Sequence, residues 1–103
     1  MKFDVIITDI ANEELLSIIN YITEDSKSID RALNYLNVLE SAIMNLSEFP
    51  YKGVEPRYKS IKIQGYRVLI VESHLVFYKV SEERKEVIIY RILHGKQEYR
   101  NLI

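Results

Sequence analysis

The spacing of apolar residues changes character once along this chain, and that change limits the folds open to it. Leu15, Ile18, Ile19 and Ile22, then Ala32, Leu33, Leu36, Leu39, Ile43 and Leu46, recur at intervals of three and four. Such spacing gathers them on one face of a helix. Beyond a loop punctuated by Pro50, Gly53 and Pro56, β-branched and aromatic residues crowd three segments, Ile61 to Glu72, Leu75 to Ser81 and Glu86 to Leu93. These predict strands. Another strand, Lys2 to Thr8, precedes the helices, with Phe3, Val5 and Ile7 alternating and Thr8 or Asp9 placed to cap the first helix.

Asp25 to Ser28 breaks the helical pattern, which predicts helices from Ala11 to about Glu24 and from Ile29 to about Glu48, folded into an antiparallel hairpin. Ser73-His74 and Glu82 to Lys85 are short polar turns, so the strands they join are expected to be antiparallel. His74, in a turn, is expected to face solvent. The predicted order is β-α-α-β-β-β with a short segment after Gly95. That is an α+β fold with an antiparallel-rich sheet, the helical hairpin on one face and the other face open to water or a ligand. A chain of 103 residues supports one core, and residues 1–103 are read as a single domain.

The absence of cysteine removes disulfides, thiolate zinc sites and cysteine nucleophiles together. His74 and His94 are too few for a zinc site without carboxylates, so no metal and no cofactor is expected. No apolar run approaches the roughly 20 residues of a membrane span, and Asp4 and Asp9 interrupt the stretch where a signal peptide would be apolar. The expectation is a cytoplasmic protein with no membrane partner. Gly-rich phosphate loops, nucleophile elbows and paired-histidine helices are not found in the sequence.

The net charge of −1 conceals an asymmetry. Residues 1–49 carry three basic and nine acidic side chains, whereas residues 50–103 carry eleven basic and six acidic ones. The densest basic stretch is Tyr51 to Arg67, where Lys52, Arg57, Lys59, Lys62 and Arg67 alternate with Tyr51, Tyr58 and Tyr66 against one acid, Glu55. Cations that neutralise phosphate beside rings that stack on bases suit single-stranded RNA. Tyrosines that form strands and lysines that solvate an exposed edge would give the same pattern.

A second cluster joins Arg91, His94, Lys96, Gln97, Tyr99 and Arg100. Arg91 interrupts an apolar strand and must reach solvent or an anion, either a ligand or a strand acid such as Glu72. His94 at the strand end is a general acid or base, or a loop-bonding imidazole.

The element order, together with FPYKG (Phe49–Gly53), GYRVLIV (Gly65–Val71), LVFYKV (Leu75–Val80) and VIIYRILHGKQEY (Val87–Tyr99), resembles the RelE/ParE superfamily of toxins across nearly the whole chain. The resemblance implies the toxin of a type II toxin-antitoxin pair, neutralised by a cognate antitoxin protein and causing growth arrest when free. RelE-like members are ribosome-dependent mRNA interferases, endoribonucleases that inhibit translation; ParE-like members inhibit DNA gyrase and have no known nuclease chemistry. The leading expectation is the mRNA interferase, with ribosome and mRNA as partners, and the runner-up is the gyrase inhibitor. A protein-binding module without toxicity stands as a third reading.

Under the leading reading, catalytic roles fall by position to Arg67 on the transition-state phosphate, to Lys59 or Lys62 as base, and to His94. Arg57, Arg91, Lys96, Gln97 and Tyr99 are then the substrate-binding residues, with Tyr99 stacking on a base. Gln97 stands where the RelE-type pattern has a second catalytic arginine.

Overall fold

The structure, a computed structural model, describes residues 2–103. Strand β1 (Asp4–Ile7) runs directly into helix α1 (Asp9–Ser26), because Thr8 adopts an extended backbone and its hydroxyl accepts the Ala11 N–H at 3.2 Å. Lys27 ends α1 in the left-handed region at φ 58°, and Ser28 caps α2 (Ile29–Met44) by accepting the Arg31 N–H. A single 3-10 turn, Asn45–Ser47, extends α2 almost as far as the helical periodicity predicts. Ala11, Leu15, Leu39, Ile43 and Leu46 bury one face of this hairpin against the sheet. Leu33, expected in that stripe, is instead 45% exposed on the outer side.

The chain then forms a short helix α3 (Lys59–Ile63) and strands β2 (Arg67–Val71), β3 (His74–Ser81) and β4 (Glu86–His94). The sheet order is β1-β4-β3-β2. Both β2–β3 and β3–β4 are antiparallel hairpins, and β1 joins the far edge parallel to β4 through Asp4 opposite Glu86 to Ile7 opposite Ile89. The sheet is therefore mixed but mostly antiparallel, as the α+β reading requires.

Three expectations change. The segment from Ile61 to Glu72 is not one strand: Gly65 at φ 93° breaks it, and the residues before it close a helical turn that buries Ile61. The second sheet face is not fully open. Ile61, Val68, Phe77, Leu93 and Tyr99 form a second, smaller core there, with α3 and the C-terminal segment as its cover. His74 is not a solvent-facing turn residue but opens β3, 9% exposed, with Tyr35 Oη 2.6 Å from its Nδ1. The turn proper is Glu72-Ser73, with Glu72 at φ 52°.

Candidate functional site

Alternation along β2 and β3 decides where Arg67 points. Arg67 lies opposite Tyr78 and shares a face with Leu69 and Val71, which pack in the helix-side core, while Val68 belongs to the second core. At the rim of that face passes the Pro50–Gly53 loop. Arg67 donates to the carbonyl oxygens of Gly53 at 2.6 Å and Tyr51 at 3.0 Å, and its guanidinium lies 5.4 Å from the centre of the Tyr51 ring. Tyr78, fully buried, completes the arrangement: its hydroxyl donates to Pro50 O and accepts from Gly53 N. A bridge between Val54 and Val68 fastens the end of the loop.

His94 lies opposite His74, four positions from Tyr78 along β3. Its ring packs edge-on against His74 at 5.2 Å, and its Nδ1 accepts the Lys96 N–H, while the Gln97 side chain accepts the His94 N–H at 2.8 Å. The Lys96 backbone and the Gln97 side chain thus close the turn after β4. Burial, with His94 beside it, holds the His74 imidazole below its ordinary range.

Lys59 and Lys62 lie on the other side of the sheet, on α3, whose Ile61 is part of the second core. Both are exposed, and Lys62 pairs with Glu55 at 2.9 Å. With Arg57, Pro56 and Ile63 they line a shallow depression of about 410 Å³. Arg57 and Arg100 flank the Tyr58 ring at 5.0 and 4.6 Å. Tyr99, expected to stack on a base, is 6% exposed: its ring packs on Phe77 and Tyr58, which leaves no free face.

Arg91 does not pair with Glu72. Its partner is Glu14 of α1, which accepts from Arg91 Nη2 at 2.8 Å and from the Ile92 backbone N–H at 2.8 Å. Arg91 also donates to Leu102 O, and the Glu14 hydrogen bond holds its guanidinium above the ordinary range.

Arg67 and His94 therefore share the helix-side face, at separate positions along β3, and the sheet separates them from Lys59 and Lys62. Glu14 and Tyr35, which no motif marks, organise the site together with Tyr78 of the LVFYKV stretch. Tyr78 left a trace in the sequence: alternation puts it on the face of Val76 and Val80, where a buried hydroxyl requires a partner. Among the described residues no cluster of three or more acidic or imidazole side chains is placed to hold a metal. No helix there is long and apolar enough to cross a membrane.

The fold has close counterparts. The chromosomal ParDE toxin-antitoxin system from P. aeruginosa contains a chain that superposes with a TM-score of 0.75 at 18% identity, covering 92% of this chain and 98% of that one. The RelBE2 toxin-antitoxin complex of Mycobacterium tuberculosis contains another, with a TM-score of 0.61 at 23% identity, covering 91% and 99%. No curated protein matches significantly in sequence. Residues 5–99, nearly the whole chain, match the family described as the ParE toxin of the type II toxin-antitoxin system parDE, and the chain belongs to that family, a toxin of the RelE/ParE superfamily.

Proposed function

We propose that this toxin acts by binding DNA gyrase and blocking it, and that it does not cleave mRNA. One observation carries the reading: Arg67 Nη2 donates to both Tyr51 O and Gly53 O, which fastens the side chain to the loop. Phosphoryl transfer from a 2′-hydroxyl needs a base, an acid and a cation on one crowded phosphate. The residues expected to provide them stand on opposite faces of the sheet, and the ring expected to hold the base is buried. A target held by surface complementarity needs none of that assembly. Its cognate antitoxin, the partner that the toxin-antitoxin neighbours support, would neutralise it by occupying the toxin surface.

The mRNA reading keeps one supporting feature, the Arg57, Lys59 and Lys62 depression beside Tyr58, whose charge and ring suit RNA. Two purified systems separate the readings. Toxin added to gyrase is expected to inhibit supercoiling, and toxin added to translating ribosomes is expected to leave the message intact. Cleavage within the A-site codon together with unimpaired supercoiling would reverse the assignment. Absence of growth arrest on induction without the antitoxin would instead favour the binding module.

A further inference from the structure

The segment after β4 is fastened through one pair of imidazoles. His94, the last residue of β4, lies opposite His74, the first of β3, with the rings edge-on and 5.2 Å apart. The next three residues are all tied to this pair or its neighbour: Gly95 N donates to Ser73 O, Lys96 N to His94 Nδ1 and Gln97 N to His94 O, while the Gln97 side chain accepts the His94 N–H. Beyond them the chain turns over the second sheet face, where Tyr99 packs on Phe77 and Tyr58 and Leu102 O accepts from Arg91. The cover of that face therefore hangs from His94.

Each Nδ1 is used as an acceptor, which sets the number of protons the pair can hold. A backbone N–H only donates, so the His94 Nδ1 that receives the Lys96 N–H must offer its lone pair. Tyr35 Oη accepts the Ser73 N–H at 3.3 Å and has His74 Nδ1, 2.6 Å away, as the acceptor for its own proton. Both rings are thus held neutral. A proton added to His94 would set two N–H groups head to head, and one on each ring would set two cations side by side. The groups facing the pair supply no counter-charge. Helix α2 brings the Tyr35 phenol, Glu72 before the pair and Lys96 after it are exposed, and among the described residues neither imidazole forms an ion pair.

We propose that His74 and His94 form an acid-labile latch: while both are neutral the segment after Gly95 stays on the second sheet face, and protonation of the pair frees it and bares Phe77. Burial beside His94 already makes His74 a poorer base than its ordinary value of 6.5. Freed imidazoles bind protons more readily than latched ones, so the latched form is complete above about pH 6.5 and declines as the medium is acidified through and below that value. The helix-side core contains no imidazole and stays closed.

The purified toxin is followed by NMR from about pH 7.5 to about pH 5, the range in which imidazoles titrate. The Lys96 amide and Tyr99 ring signals are expected to shift together with a midpoint below 6.5, while the methyl signals of Leu39 and Val76 keep their native positions. His94→Gln offers a carbonyl oxygen to the Lys96 N–H but takes up no proton, and is expected to lose the Tyr99 transition. His74→Gln removes one of the two cations and is expected to move the transition to higher pH. A Tyr99 ring that keeps its native signals while the imidazoles titrate would overturn the latch, as would an unchanged transition in His94→Gln. Loss of the Leu39 and Val76 methyl signals at the same pH would also overturn it, since the whole chain would then be unfolding.

Discussion

Two single positions show how tightly the helix-side face is set. A Cβ on Gly53 would stand 2.6 Å from the Tyr78 hydroxyl and 2.7 Å from the Val68 carbonyl oxygen. The second atom is backbone and has little room to move, so Gly53→Ala is expected to cost about 1–3 kcal/mol, read as a lowered midpoint in urea. His74 acts through its proton. Because its folded pKa lies below the ordinary value of 6.5, the unfolded chain binds the proton more readily, and stability falls as the medium is acidified through that value. The melting temperature is therefore expected to be lower at about pH 5.5 than at about pH 7.5, and His74→Gln to show a smaller loss over the same interval.

At the scale of elements, the shortness of β1 explains the Glu14 arrangement. β1 ends at Ile7, so β4 beyond Ile89 has no strand on that side, and the Ile92 N–H would be left to solvent. Helix α1 starts at once and brings Glu14 over the bare edge, where its carboxylate takes both that N–H and Arg91. The side chains of Arg91 and Glu14 are 23% and 18% exposed, so removing the acid strands a largely buried cation. Glu14→Ala is expected to destabilise the fold by about 2–3 kcal/mol, somewhat under the range for full burial, with the loss checked by denaturant unfolding.

The periodicity of three and four made α1 and α2 legible, and the short polar turns made the β2–β3–β4 meander legible. The Lys59–Ile63 helix was not, because Ile61 and Ile63 alternate as a strand would, and the decisive fact is the positive φ of Gly65. The partner of Arg91 was hidden for a related reason: Glu14 and Arg91 are far apart in sequence and meet only through the parallel register of β1.

For the whole molecule, the charge asymmetry and the position of the expected site residues part company. The basic half of the sequence does not gather on one surface. Some of its cations serve the fold itself: Arg67 holds a loop and Arg91 a helix, while the exposed Arg57 and Arg100 flank Tyr58. Residue types announced chemistry correctly as charge and hydrogen-bonding capacity. What they reach for depends on strand parity, which alternation gives only once the strand's bounds are right, and on the cover over the second sheet face, which local spacing does not carry.

The parallel pairing of β1 with β4 has a consequence for how the toxin comes into being. Among the described residues β1 has β4 as its sheet partner, with Asp4 to Ile7 lying against Glu86 to Ile89. Contacts spanning most of the chain are slow to close. During synthesis the acidic hairpin can form early, but the sheet that carries the pinned loop cannot be completed until β4 has emerged. A chain that still lacks β4 therefore has β1 unpaired and its sheet unfinished, so the assembled fold arises only after β4 has emerged.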